Sequence, residues 1–427
     1  MNSRIAVFLN TIDPIFLPNK YKNNCFVIVD INSPLFAFAQ KNFPRKHILT
    51  VSMYSAKGIE LDEKKILYNK HFLKAIKQNN ITHLIIPHQC SETMTQWAKE
   101  VHISLIGTNF QKNNNLEDKI YFDKLLKKNK ISSPKTLTNQ KLTTASFPVV
   151  VQRATSYGLF GTWFCTSLEE VKKHTKTKKT PVLIREYKKG ISIGVSIFLD
   201  QNHNYFFSAF RRQCFSYKNT FPSIFLGVQW LPSDYFNSKT TEKIYKLLNK
   251  LAKVLSKEHF YGLANIDVLI SSGNPYILEC NPRLSSATTH IFSIPDISGY
   301  SDPYGFFLNT FLKEKTRMVP TDSISNSSFD GCLLDIDIQN SVRITTILPV
   351  GVYEIKKNNI TYIGADIRLL NKNRIFMSHE ILKKGVYSDI TVCSIIANCP
   401  LFDYASGELN EKGKEVFSVF LHAFTKK

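Results

Sequence analysis

One stretch, Phe260 to His290 (FYGLANIDVLISSGNPYILECNPRLSSATTH), constrains the fold of this chain more than any other, because it sets two carboxylates face to face. Leu263 to Ile270 and Tyr276 to Cys280 are short apolar runs around Ser271, Ser272, Gly273, Asn274 and Pro275, which predicts two antiparallel strands joined by a tight turn. With the turn centred near Gly273, Asp267 and Glu279 fall opposite each other. Cross-strand neighbours lie about 5 Å apart at the β carbons, and like charges so placed repel. The two-residue period puts Asn281 on the face of Glu279, while Leu278 and Cys280 are expected to point away. Three oxygen ligands on one face suit Mg²⁺, which keeps several waters and is completed by phosphate oxygens. Arg283, just past Pro282, adds a permanent cation for phosphate or carboxylate. For an isolated Asp and Glu, a solvated hairpin is the plain alternative.

The letters Gly262, Asp267, Glu279, Asn281, Pro282 and Arg283 resemble the metal-binding hairpin of the ATP-grasp superfamily, in which a G-x-x-x-x-D strand precedes a second strand ending E-x-N-P-R. Other stretches carry the same resemblance. Asp118 and Lys119 open a helix to Lys128, followed by Ile131 and Pro134, similar to the entry of the ATP-grasp domain, whose lysine reaches ATP phosphates. Phe147 to Phe164 reads as strand, loop and strand; Gly158 and Gly161, with Ser156, Tyr157 and Thr162 near the tip, resemble the glycine-rich phosphate lid. Glycines let backbone N–H groups approach a phosphate closely. Gln152 stands where the common pattern has a lysine, and alternation puts Arg153 on the opposite face. Glu186, Tyr187 and Lys188 resemble the hinge that offers backbone groups to adenine, with Ser192 where a ribose-binding acid is common.

Towards the N-terminus, short strands (Ile5 to Leu9, Phe26 to Val29, Ile48 to Val51, His83 to Ile86, Ile103 to Ile106) alternate with helical patterns at Leu35 to Lys41, Lys64 to Lys77 and Ser91 to Lys99. This alternation predicts a parallel α/β domain. Asp13, His88 and Glu92 follow strand ends, where such sheets bind ligands. Ser196 to Leu199 and Tyr205 to Phe210 read as a hairpin ending at Arg211 and Arg212. Only one of these arginines can face a site, and the other is expected to be a surface charge. Thr241 to His259 is an amphipathic helix with Ile244, Leu247, Leu248, Leu251 and Leu255 on one stripe. Pro320 to Ser328 reads as a linker, and Phe329 to Lys427 as a small β-rich domain closed by the helix Glu411 to Ala423.

The expected fold class is therefore α/β and α+β. A Rossmann-like domain (1–108) precedes an ATP-grasp domain (109–318, with its lid at about 150–195 and its metal hairpin at 260–283) and a β-rich C-terminal domain (329–427). The resemblance implies an ATP-dependent ligase that joins a carboxylate to an amine through an acyl phosphate, with an amino-acid or peptide ligase as the leading subclass. It implies Mg²⁺ or Mn²⁺, as one or two ions, at Asp267, Glu279 and Asn281, and a catalytic role for Arg283. ATP would be held by Lys119, Gln152, Ser156, Gly158, Gly161, Thr162, Glu186, Tyr187 and Lys188. Small carboxylates and amines are the expected partners, and the chain is read as a homodimer.

Composition bounds the alternatives. A chain of 427 residues, 43% hydrophobic, can bury large cores and form two or three domains. No apolar run is long enough for a membrane-spanning helix, and the opening MNSRIAVFLN lacks a signal-peptide pattern. Eight scattered cysteines point to reduced thiols and a cytoplasmic location. The net charge of +21 is spread in short lysine groups, so a solvated surface is favoured and no nucleic acid is expected. Two alternatives stay open: a nucleotide-binding regulatory protein, motivated by Gln152 and Ser192, and a nucleic-acid-binding protein, motivated by charge.

Overall fold

The structure is a computed structural model and describes residues 3–9, 25–53, 62–86, 89–138, 142–156, 159–176, 181–293, 302–312 and 329–426. Asp13, His88, Tyr157, Gly158 and the segment Pro320 to Ser328 lie outside these residues.

Five strands open the chain: β1 (Ile5–Phe8), β2 (Cys25–Asp30), β3 (Ile48–Val51), β4 (His83–Ile85) and β5 (Ser104–Ile106). All pair in parallel in the order β3-β2-β1-β4-β5, with apolar side chains on both faces, as a sheet covered by helices requires. The covering helices include α1 (Pro34–Asn42), α2 (Glu63–Leu67), α3 (Lys70–Gln78) and α4 (Glu92–Glu100). The run expected as one helix over Lys64 to Lys77 is two. Asn69 breaks it by capping α3, its side chain accepting from the amides of His71 and Phe72.

The helices α5 (Phe110–Glu117) and α6 (Lys119–Lys128) lead into a four-stranded antiparallel sheet of β6 (Thr136–Leu137), β7 (Val149–Arg153), β8 (Thr162–Cys165) and β9 (Val182–Glu186), flanked by α7 (Leu168–Thr175). The next strands build the central sheet: β10 (Ile191–Leu199), β11 (Tyr205–Phe207), β12 (Arg211–Lys218), β13 (Phe221–Trp230), β14 (Gly262–Ser271) and β15 (Asn274–Asn281). Between β13 and β14 runs α8 (Ser238–Lys257), starting three residues before the sequence expectation because Asn237 caps it through the amide of Thr240. One face of β10 and β14 (Ile193, Val195, Ile197; Ala264, Ile266, Val268) packs on the α8 stripe of Ile244, Leu248, Leu251 and Leu255. The opposite face carries the polar residues.

After α9 (Ser286–Ser293) and α10 (Pro303–Leu312) come β16 (Cys332–Ile338), β17 (Val342–Ile344), β18 (Gly351–Lys356), β19 (Asn359–Gly364), β20 (Arg374–Ser378), β21 (Gly385–Tyr387), β22 (Ile390–Ala397) and α11 (Glu411–Thr425). Apart from the two-stranded pair β17–β21, this region does not form a sheet of its own. β16 pairs antiparallel with β13, so one eleven-stranded sheet runs β15-β14-β10-β12-β13-β16-β22-β20-β18-β19, with β11 beside β10.

A carboxylate sits within this extension. Ser394 Oγ on β22 donates to Asp335 Oδ1 on β16 at 2.5 Å. Burial pushes the Asp335 carboxyl from 3.8 up to about 7, the Ser394 bond opposing and the Asp337 charge adding. A folded-state pKa above the unfolded value means that the folded chain holds this proton more tightly, so stability is lost as pH rises from about 4 to 7. Asp335→Asn is therefore expected to stabilise the protein, by about 1–2 kcal/mol more at pH 8 than at pH 5. Equal shifts in denaturant midpoint at the two pH values would contradict this.

Candidate active site

The central hairpin turns at Ser272 and Gly273, both with positive φ (48° and 70°), as a two-residue primed turn requires. The pairing sets Asp267 opposite Glu279 and Asn265 opposite Asn281. The register then shifts: Val268 pairs with Ile277, leaving Leu278 as the extra residue of a β-bulge. The bulge corrects one sequence expectation, since Leu278 lines the same cavity as Glu279 instead of pointing away. Arg185 holds the bulge, its Nη1 donating to the Leu278 carbonyl at 2.8 Å while Nη2 meets Asp123 at 3.2 Å.

The cavity above this hairpin has a volume of about 660 Å³. One end of it gathers Asp267, Glu279, Asn281 and Lys119. Lys119 follows Asp118, whose side chain caps α6 through the amides of Ile120 and Tyr121. Only 4% exposed, its Nζ lies 3.1 Å from Glu279 Oε2 and donates to the Ser156 carbonyl at 2.7 Å, linking the lid loop to the hairpin. Asn281 Nδ2 donates to Glu279 Oε1 at 3.3 Å.

The two carboxyl groups diverge electrostatically. Burial, then the neighbouring Glu279 charge, pushes Asp267 well above the ordinary carboxylate range, only partly opposed by a hydrogen bond with Gln213 and by the Arg211 charge. Burial would raise Glu279 too, but the Lys119 charge and hydrogen bonds with Asp267, Lys119 and Asn281 outweigh it and leave Glu279 below its usual value. The two carboxyl groups thus crowd negative charge into a buried space, a condition that a dication would relieve. Among the described residues, no three His, Cys, Asp or Glu side chains gather to hold a metal. Two carboxylates and one amide fall short of a closed cage and fit a Mg²⁺ whose remaining ligands are waters and phosphate oxygens.

The other end of the cavity is the strand crossover after β9. Glu186, Tyr187 and Lys188 line it, with Val150 and Gln152 from β7. Tyr187 packs edge-on to Phe164 and Phe221, at 5.7 and 5.2 Å between ring centres. Lys188 Nζ meets Glu186 Oε1 at 3.1 Å and lies over the Tyr276 ring. Ser192 Oγ donates to Gln213 Oε1, and both residues line the cavity. Ser156 and Thr162 line the lid side. Gly161, with φ +76°, packs against the Arg153 side chain and serves the turn between the lining residues Leu159 and Thr162.

Arg283 lines the cavity, but its Nε donates to Glu117 Oε1 at 2.7 Å, so its charge is met by a carboxylate. The adjacent arginines of β12 correct another expectation, as neither is a surface charge. Arg211 and Arg212 are 3% and 6% exposed. By alternation Arg211 shares the face of Asp267. Arg212 also lines the cavity but is tied to the C-terminal region, with Nη1 donating to Tyr235 Oη and the carbonyls of Tyr404 and Ala405, and Nη2 to that of Ser406. Ala405 and Ser406 also line the cavity, which the sequence did not signal, because they reach it only through β16 and the sheet extension.

Comparison with known proteins agrees with this geometry. A family model described as the ATP-grasp domain matches residues 116–287. The arginine-specific carbamoyl phosphate synthase large chain of Bacillus subtilis (strain 168) is 24% identical over 231 residues, 51% of this chain and 22% of that one. The chain thus spans about a fifth of the length of the curated relatives it matches. Among solved structures, the biotin carboxylase domain of Hydrogenobacter thermophilus 2-oxoglutarate carboxylase, in complex with MgADP, ADP and bicarbonate, superposes with a TM-score of 0.64 at 12% identity, covering 93% of this chain and 86% of that one. The L-amino acid ligase of Bacillus licheniformis gives 0.61 at 12%, covering 99% and 97%. The paired-carboxylate hairpin, the lysine beside it and the strand-crossover pocket thus share one cavity, and residues 116–287, which carry most of them, match the ATP-grasp domain.

Proposed function

We propose that the protein is an ATP- and Mg²⁺-dependent ligase that joins a carboxylate to an amine through an acyl phosphate, most simply an amino-acid or peptide ligase. The observation that carries this reading is the bridge from Ser156 through Lys119 to Glu279, beside Asp267, within the cavity that also holds the hinge residues. When bound, Mg²⁺ would supply charge neutralisation for the transferring phosphoryl group. Asp267, Glu279 and Asn281 would hold it, and Lys119 places a cation where Gln152 cannot. Tyr187 and Lys188 would meet adenine, and Gln213 with Ser192 would meet the ribose in place of an acid. A substrate carboxylate then takes the γ-phosphoryl group, ADP leaves, and an amine displaces phosphate with loss of a proton. Phosphoryl transfer of this kind is chiefly positioning and charge neutralisation.

The three units 1–108, 109–318 and 329–427 would contribute acid-substrate binding, nucleotide binding and closure of the cavity. Eight unpaired cysteines support a reducing, cytoplasmic setting, and we take the working form to be a homodimer. Among the described residues no helix is long and apolar enough to cross a membrane. The nucleic-acid alternative, motivated by charge alone, gains no support from the comparisons.

Incubation with MgATP, hydroxylamine and each of the twenty amino acids, then dipeptides, is the test. The expected result is a hydroxamate with stoichiometric ADP and phosphate. AMP and pyrophosphate would overturn the mechanism, and MgATP binding without ADP release for any acid and amine pair would favour the regulatory alternative.

A further inference from the structure

Most cations lining the cavity are matched by a carboxylate: Lys119 by Glu279, Arg185 by Asp123, Lys188 by Glu186 and Arg283 by Glu117. Arg211 is not. Its hydrogen bonds go to neutral oxygens, from Nη1 to Ser196 Oγ at 3.1 Å and from Nη2 to Asn265 Oδ1 at 2.9 Å. A guanidinium has five N–H donors, so these two bonds fix its plane and, among the described residues, leave donors free to meet an anion in the cavity. Burial lowers its pKa to about 10, so it stays charged at neutral pH.

Its position is built by four strands. Arg211 on β12 pairs with Gly194 on β10, Gly194 with Asp267 on β14, and Asp267 with Glu279 on β15, which places all four on one row of one sheet face. Gly194 is the gap that lets the guanidinium lie down along this row. A β carbon there would come within 2.9 Å of Arg211 Nε and 3.0 Å of Cζ. The guanidinium therefore crosses β10 to reach Asn265, two residues from Asp267. Behind it stands the Trp230 ring, 5.6 Å from Cζ, itself anchored by the indole N–H donating to His290 Nδ1 at 3.0 Å. The carboxylate charge acting on it is that of Asp267, which burial itself pushes towards the neutral form, so the buried cation is only partly compensated within the protein. The remaining compensation faces the cavity, on the row of the carboxylate pair.

We propose that Arg211 is an anion-recognition residue of the acid-substrate site, gripping the oxyanions of the activated, acyl-phosphate-like group beside the metal end of the cavity. This rests on the ligase reading. Arg283, neutralised by Glu117, is then the weaker candidate for that task, and the pair Arg211 and Gly194 works as a unit: the arginine supplies the charge and the glycine supplies its path.

The test is calorimetry on the full-length protein saturated with MgADP. The probe is phosphonoacetate, an unreactive molecule with a carboxylate and a phosphonate one carbon apart; acetate and methylphosphonate are separate arms that tell which half Arg211 holds. The wild-type protein is expected to bind phosphonoacetate. Arg211→Gln should weaken it at least about tenfold and Arg211→Lys less, because a charged hydrogen bond is worth more than a neutral one. Gly194→Ala keeps the charge but displaces it, and should weaken the probe about as much as Arg211→Gln, with MgADP affinity held within about twofold in all three. Should Arg211→Gln fail to fold, Gly194→Ala and Arg211→Lys decide. Probe affinity unchanged in the variants, or absent from the MgADP-bound wild-type protein, would overturn the assignment. Failure of the wild-type protein to bind MgADP would instead remove the ligase reading on which it rests.

Discussion

Glu279→Gln is expected to lower ADP release by at least about a thousandfold while leaving the fold intact, since a fixed charge at a site of phosphoryl transfer is worth several kcal/mol. The substitution keeps the shape and one acceptor oxygen but removes the anion that both Lys119 and the metal require. Its effect on the empty protein should be small, because two changes oppose each other: Lys119 loses its partner, and Asp267 loses a like charge beside it. The discriminating measurement is thermal unfolding with and without MgADP. Ligand linkage stabilises by about 2.7 kcal/mol at a hundred times Kd, and the variant should lose the Mg²⁺-dependent part of that shift. Activity within tenfold of wild type at ordinary Mg²⁺ would take Glu279 out of the site.

Lys119→Met should have the next largest effect, and its signature lies in pH. Lys119 is the chief influence that holds Glu279 below its ordinary value against burial, so its removal lets burial raise Glu279. The protonated fraction of Glu279 then grows at a given pH. The acid limb of the pH–rate profile is expected to move to higher pH, with catalytic efficiency for ATP falling about a hundredfold near neutrality. The loss should be partly recovered at higher pH, where Glu279 ionises again; the lost contact to the Ser156 carbonyl is not recovered. An unmoved acid limb would mean that Lys119 does not set the charge of Glu279.

The hairpin that carries both predictions was legible because its information is local. Alternating apolar residues, a Gly-containing turn and two acids at matching distances from it determine the pairing without reference to the rest of the chain. The bulge at Leu278 was not legible, since it depends on Arg185 from another sheet. Arg211 illustrates the same limit: alternation puts only one of two adjacent arginines on the site's face, whereas both line the cavity, and the burial of Arg211 follows from Gly194 and Trp230, each on a different strand. The break at Asn69 is a different case. The capping signal was present in the sequence, and the continuous helical spacing on either side masked it. In the C-terminal region the β-rich character is legible but the pairing is not, because strands such as β18, β20 and β21 take their partners across intervening chain.

The sheet joint at β13 and β16 also sets an order of events during synthesis. The carbonyls that receive Arg212 lie 192 to 194 residues later in the chain, and Gln229 on β13 waits for Cys332 on β16. At roughly 5–20 residues per second, a ribosome leaves about 10–40 s between the making of Arg212 and of its acceptors. For about 5–20 s of that interval, until β16 is made roughly a hundred residues after β13, β13 is an open strand edge, a template for pairing with other nascent chains. The yield of this protein in a cell is thus governed by how well that edge is shielded until β16 is made, and synonymous or temperature changes that slow the ribosome between β13 and β16 should reduce it without altering the finished molecule.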